Sequence, residues 1–263
     1  MDLQLKGKKA LVTGSTAGIG LATAKGFAAE GASVVVNGRT AKRVEDAVRE
    51  IRKLHPTAEV SGVAADVGNP EGCAKLAAVG EVDVLINNAG IFEVKAFEEI
   101  RDADWLRMFE TNVMSGVRLS RHFLRGMRKK NWGRIIFVSS ESGVQIPEEM
   151  IHYGMSKTAQ IAVARGIAEG VAGTGITVNS VLAGPTRSEG VERFLGEMGT
   201  KNGVDAATVE KEFFKTARPT SLLKRFASTE EVANMIVYLS SALASATNGA
   251  AVRVDGGVVR AIL

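Results

Sequence analysis

Short apolar runs rich in β-branched residues recur along this chain, and each is followed by a segment with helical spacing. The runs are KALVT at 9–13, SVVVN at 33–37, EVSGVA at 59–64, VDVLIN at 82–87, RIIFVS at 134–139, ITVNSVL at 176–182 and AAVRV at 250–254. A strand that is apolar throughout has to be covered on both faces, and parallel strands need crossovers long enough to hold a helix. Helices are expected over 18–30, 41–54, 70–79, 104–129, 152–172 and 229–239; Val44, Ala47, Val48, Ile51 and Leu54 show the spacing most clearly. Right-handed β-α-β crossovers then give an α/β fold, a doubly wound parallel sheet between two helical layers. No linker, low-complexity stretch or solenoid repeat interrupts it, so residues 1–263 are read as a single domain. Residues 186–217 are polar, contain glycines and resist assignment.

Composition narrows the function classes. The net charge of +4 comes from 33 basic and 29 acidic residues that are dispersed along the chain. The densest basic stretch, 125–134, is interrupted by Gly126, Met127, Asn131, Trp132 and Gly133, and reads as a solvated helix end rather than a nucleic-acid surface. Cys73 is the only cysteine, which excludes an internal disulfide and a cysteine-built metal site; it reads as a small apolar helix residue. No His/Asp/Glu cluster has ligand spacing, so no metal is expected. There is no apolar run of membrane-span length, and the opening MDLQLKGKKALVTG has no apolar h-region. A cytoplasmic protein without nucleic-acid or membrane partners is the expectation.

Directly after the first strand comes TGSTAGIG, residues 13–20. Gly14 permits a tight turn into the helix, Gly18 lets the backbone approach a pyrophosphate, and Gly20 lets the helix pack close to the sheet. Thr16, Ala17 and Ile19 lie between them. Free N–H groups and the helix dipole at that start favour phosphate. A glycine-rich turn without a ligand is the bland alternative, made less attractive by the strand-to-helix placement.

The G-x-x-x-G-x-G spacing, Asp66, Asn87-Asn88-Ala89-Gly90, Asn112, Ser139-Ser140, Tyr153-Gly154-Met155-Ser156-Lys157, Asn179 and Asp255-Gly256-Gly257 together resemble the short-chain dehydrogenase/reductase family, in its compact single-domain branch. The resemblance runs from Gly7 to Gly257. It implies a Rossmann-type three-layer fold with a seven-stranded parallel sheet in the order 3-2-1-4-5-6-7, and a substrate lid at about 186–217.

Asp66 and Val67 end the third strand, where ligands bind in such folds. A carboxylate there can accept from an adenine amino group, the use the family makes of the matching residue; capping the helix near Asn69 is the other reading, and both can hold. Asn88, Ala89 and Gly90 are expected to form a cofactor wall, with Asn88 also bracing the sheet. After the sixth strand the family usually carries Pro-Gly and then a Thr or Ser that meets the nicotinamide carboxamide. Here Ala183 stands where that proline is expected and Pro185 follows Gly184, leaving Thr186 and Ser188 as candidates, with Ser188 in the matching position.

Tyr153 and Lys157, four apart on one helix, project from the same face. A nearby ammonium lowers a tyrosine's pKa, as would an oxidised nicotinamide ring, and makes it a usable general acid or base. Lys157 is also expected to bind the ribose hydroxyls. An amphipathic helix with a snorkelling lysine is the plain alternative for this pair. Ser140 lies thirteen residues before Tyr153, at the family's spacing for a catalytic serine, and its hydroxyl can bond the substrate oxygen; Ser139 points to the other face. Asn112 is a poor mid-helix residue: either an exposed position or, as the resemblance implies, a kink holding a water in a relay with Lys157. His152 reads as a surface or interface histidine.

The expectation is an enzyme that interconverts a ketone or aldehyde and an alcohol, with a 3-oxoacyl or cyclic apolar ketone suggested by Val191, Phe194, Leu195, Met198, Phe213 and Phe214 on the lid and by Phe92, Val94, Gln145, Ile146 and Pro147 opposite. Anchoring of the lid explains the lid residues equally well. A catalytically silent dinucleotide-binding regulator or scaffold is the main rival. An epimerase or dehydratase is a further one, although those usually carry a longer C-terminal substrate domain. NADP(H) is expected to be preferred and NAD(H) possible. No Asp or Glu occurs from Gly31 to Val44, and Arg39, with Thr16, Asn37 and Thr40 near it, suits a phosphate. Ala17 stands where NADP-preferring relatives often have a second basic residue. By resemblance a homo-oligomer, most simply a tetramer, pairs helices 104–129 and 152–172 through Leu106, Phe109, Val113, Val117, Ile161, Ala162 and Ala168.

Overall fold

Residues 1–262 are described by a computed structural model, with the side chains of Phe194, Lys201 and Asn202 outside the description; the lid expectation for Phe194 therefore falls outside the described residues. Strands β1 (Lys9–Val12), β2 (Ser33–Gly38), β3 (Val60–Ala64), β4 (Val84–Asn87), β5 (Gly133–Ser140), β6 (Ile176–Ala183) and β7 (Ala251–Val254) form one sheet in the order β3-β2-β1-β4-β5-β6-β7. All neighbours are parallel. The connections run one way from β1 and the other way from β4, so a crevice opens between the carboxyl ends of these two strands.

Helices α1 (Gly18–Ala29), α2 (Ala41–Leu54) and α9 (Thr229–Leu239) bury their apolar faces on one side of the sheet, in a core with Val12, Val36, Ile86 and Val181. Helices α3 (Pro70–Ala77), α5 (Ser115–Lys130) and α6 (Ile151–Gly170) cover the other side, over Leu11, Leu85, Phe137 and Val178. Cys73 is buried on α3 and its thiol reaches Val67 O. The helix expected over 104–129 is α4 (Asp102–Phe109), one π turn (Glu110–Met114) and α5. Val113 and Ala168 point into the core and are not available to a subunit interface, whereas Leu106 and Phe109 remain exposed.

The stretch 186–217 holds two helices, α7 (Glu189–Asn202) and α8 (Ala206–Thr216), capped by Ser188 and Asp205. Their apolar residues serve the lid itself: Leu195, Val209 and Phe214 form a separate small core with Phe226 from the segment that follows, and Val191, Met198 and Phe213 pack on it. Arg134, counted above with a solvated basic stretch, is buried at the start of β5, where its guanidinium donates to Ser241 O, Gly133 O and Gly175 O. Three carbonyls replace water around the charge, and burial still lowers its pKa.

Candidate active site

Gly14 and Gly18 take positive φ, +60° and +56°, which other residues adopt only with strain. A Cβ at Gly20 would lie 2.5 Å from both Asn88 Nδ2 and Gly14 O, so the close seating of α1 depends on its absence. Ala17 is the N-cap of α1, no side chain caps the helix, and no acidic residue lies in its first turn. The N–H groups beside Gly18 and Ile19 are thus left for an anion, and this donor set fits the pyrophosphate of a dinucleotide.

The residues around this cradle divide into supports and open groups. Asn88 is a support: Nδ2 donates to Thr13 O and Gly14 O at 2.9 and 3.1 Å. So is Asn37, contrary to the expectation that it bonds the cofactor. Its Oδ1 accepts from Gly14 N at 3.2 Å and its Nδ2 donates to Val63 O and Ala65 O, both at 3.1 Å. Both donor hydrogens are thereby committed to the backbone at the end of β3. Thr16 packs over Gly38. Arg39 is exposed and makes no ion pair among the described residues, and Thr40 is the N-cap of α2 with no side-chain capping bond. Asp66 is exposed and accepts from Gly68 N at 2.9 Å, while Asn69 caps α3, which leaves Asp66 free of that duty. Val67 is buried behind it. Ala89 packs against Gly14, and Gly90 borders Lys157 Nζ and Asn112 Oδ1. After β6, Gly184 N bonds Val254 O, and Thr186 is turned inward with Oγ1 on Gly184 O at 2.9 Å. Ser188 lies over Gly18, 3.4 Å from where a Cβ there would stand.

Tyr153, Lys157, Ser140 and Asn112 converge next to this cradle. Lys157 is buried, with Nζ 5.6 Å from the Tyr153 ring centre, and donates to Val138 O at 2.8 Å and Gln160 Oε1 at 3.1 Å. Burial pulls the lysine down to about 8, against the pull of Glu141. Tyr153 departs from the expected lowering. Burial and then the Glu141 carboxylate push its phenol above the ordinary range, opposed by the Ser140 hydroxyl and Arg218. Phe92 meets the ring edge-on at 6.3 Å.

Asn112 is fully buried in the π turn, which overturns the exposed reading. Its Oδ1 accepts from Ile91 N and its Nδ2 donates to Ile91 O and Ser156 Oγ. Its backbone oxygen accepts from Gln160 Nε2 at 2.6 Å. Ser139 faces away and holds Lys157 O at 2.8 Å. His152 is buried, not at the surface; it sits against Trp105, and neither ring nitrogen has a partner among the described residues.

Three buried side chains here had no signal in the sequence: Glu141, Arg218 and Gln160. Glu141 and Arg218 are 77 positions apart yet form an ion pair at 2.9 Å. A pocket with a phenol, an ammonium and a hydroxyl can pass a proton to an oxygen beside a bound dinucleotide.

The chain matches the short chain dehydrogenase family over residues 8–197. It belongs to the short-chain dehydrogenase/reductase family and is an oxidoreductase. It is 50% identical to the oxidoreductase YvrD of Bacillus subtilis across all of both chains. It is 33% identical to D-beta-hydroxybutyrate dehydrogenase of Cupriavidus necator, over 97% of this chain and 99% of the relative. Among solved structures, L-sorbose reductase from Gluconobacter frateurii, complexed with NADPH and L-sorbose, has a TM-score of 0.95 at 34% identity, with both chains fully covered.

Proposed function

We propose that residues 1–263 form one catalytic domain that interconverts a ketone or aldehyde and an alcohol, with NADP(H) preferred over NAD(H). The observation that carries this reading is the Tyr153–Lys157 pair with Ser140 in one pocket beside the uncapped start of α1. A nicotinamide dinucleotide bound there supplies or accepts the hydride. Tyr153 gives its proton to the carbonyl oxygen in reduction and takes it back in oxidation. Lys157 holds the ribose side and supplies positive charge near the phenol. Ser140 bonds the reacting oxygen, and Asn112 fixes the floor of the pocket through Ile91 and Ser156. Asp66 binds the adenine end, and Ser188 the carboxamide. Arg39, exposed and without an ion pair among the described residues, is the group that meets a 2′-phosphate; the NADPH in the sorbose reductase complex is consistent with that preference.

For the substrate we favour a 3-oxoacyl chain or cyclic ketone, on the exposed Phe92 against Tyr153, the exposed Ile146 against Gly154 and the exposed Val94. We also propose a cytoplasmic homotetramer, with Leu106 and Phe109 in the subunit contact. The test is turnover with NADPH and with NADH, read from nicotinamide absorbance, on cyclohexanone, a 3-oxoacyl thioester, 3-oxobutyrate and L-sorbose. Cofactor binding without turnover of any carbonyl would favour the silent binder, and a monomer by light scattering would remove the tetramer.

A further inference from the structure

Beside Tyr153 lies a buried ion pair that the reaction above does not use. Glu141 follows Ser140 at the end of β5 and is 4% exposed. Its Oε2 is hydrogen-bonded to Ser140 Oγ, and its Oε1 accepts from Arg218 Nε at 2.9 Å. Arg218, 8% exposed, follows α8 and also reaches Glu149 Oε1 at 3.4 Å and Ala217 O at 2.8 Å. The N–H of Ser142 donates to Ser140 Oγ at 3.1 Å.

A carboxylate paired with a guanidinium has no proton to give, so the serine is the donor in its bond to Glu141. A hydroxyl has one hydrogen. While Glu141 holds it, only a lone pair of Ser140 remains for the phenol or for a substrate oxygen.

We propose that Glu141, anchored by Arg218, is a positioning residue that turns the Ser140 proton away from Tyr153, so that the serine faces the reacting oxygen as an acceptor until the carboxylate releases it. The role in turnover rests on the reading of Tyr153 given above, while the hydrogen-bond direction stands apart from it. Apolar side chains would fill the same space without the cost of desolvating two charges. The groups facing the phenol are Lys157 from α6, Ser140 and Glu141 from the end of β5, and Arg218 from beyond α8. Glu141 disfavours the phenolate and Arg218 favours it; Ser140 favours it only when its hydrogen is turned from Glu141 to the phenol oxygen. In Glu141→Gln the charge goes, and the amide N–H can donate to Ser140 Oγ and free its proton for the phenolate. Both changes let Tyr153 ionise at lower pH.

The chain has two tyrosines, so in a Tyr238→Phe background tyrosinate absorbance reports Tyr153 alone, with no substrate or cofactor needed. Glu141→Gln is expected to lower the onset of ionisation by ~1 pH unit or more. With Ser140→Ala added, the shift caused by Glu141→Gln is expected to shrink without vanishing, because the part carried by the serine is lost while the loss of the Glu141 charge still acts. An unmoved onset in a variant folded by circular dichroism overturns the proposal, and so does a shift of full size without Ser140. Should Glu141→Gln fail to fold with Arg218 unpaired, Glu141→Gln/Arg218→Gln removes both charges and is expected to move the onset the same way by less; no movement there overturns the proposal equally. Tyr153→Phe with unimpaired turnover ends the catalytic reading of Tyr153, a separate result.

Discussion

Lys157 and Gln160 are joined across less than one turn of α6: Nζ donates to Oε1 at 3.1 Å, and the far end of the same amide donates to Asn112 O at 2.6 Å. One side chain thus stitches α6 to the π turn. Gln160→Leu keeps the volume and removes the bonds, leaving an ammonium hydrogen and a carbonyl unpaired in a buried place. Each such loss costs about 1–3 kcal/mol, so a clearly lower Tm is expected. The KM for the cofactor should rise more than kcat falls, because Lys157 loses its guide. A variant as stable as wild type would show that the stitch carries little.

Tyr153→Phe removes the transferable proton and little else. Turnover should fall by about 10²–10⁴-fold, the usual contribution of a positioned acid or base. The Kd for NADPH, measured by fluorescence, should stay within a factor of ~2, since the hydroxyl adds little to ground-state binding. Near-normal turnover in a step limited by chemistry would rule the residue out.

The depressed pKa of Lys157 makes stability depend on pH. Its folded value is about 8 against 10.5 for the free group. Below pH 8 the lysine is charged in both states and the cost of its burial is fully present. As pH rises from 8 towards 10.5 the unfolded chain still binds the proton that the folded one has lost, so the protein gains stability across that window. Urea unfolding of the cofactor-free protein at pH ~7 and ~10 should show wild type gaining up to ~3 kcal/mol relative to Lys157→Met. Parallel behaviour of the two proteins would contradict the buried-charge account.

Arg39→Ala tests the phosphate preference. A charge-assisted bond to phosphate is worth roughly 1.5–3 kcal/mol, so the ratio of kcat/KM for NADPH over NADH should drop by about 10–100-fold. A ratio unchanged by the substitution, or a wild type that prefers NADH, would remove Arg39 from that role.

Local chemistry explains why some of this was legible in the sequence. Continuous β-branched runs favour doubly covered strands, and TGSTAGIG admits few backbone paths, so the strands, the helices between them and the cradle could be read directly, while the strand order came with the family resemblance. Tyr153 and Lys157 were readable because four residues make one helical turn. Asn112 declared itself by sitting badly in a helix, and the structure resolves that strain as a π turn. Long-range pairing leaves no such local mark. Glu141 meets Arg218 only after the lid has folded back, and Asn37 looks like a loop asparagine until β3 offers it two carbonyls. The helices of the lid were obscured by Gly190, Gly196, Gly199 and Gly203, and its apolar residues could not be divided between a substrate and one another.

The lid approaches the cofactor side at Ser188, 3.4 Å from where a Cβ on Gly18 would stand, and binds it through Glu189, whose carboxylate meets Arg43 of α2 at 2.6 Å. A dinucleotide lying on the glycine turn would have the start of α7 beside it, tied to α2 by this ion pair. The ion pair is half exposed at each end, so by itself it adds only about 0–1 kcal/mol. What it governs is timing. Glu189→Gln removes the pair without touching the glycine turn, and at constant ionic strength it should shorten the residence time of the bound dinucleotide.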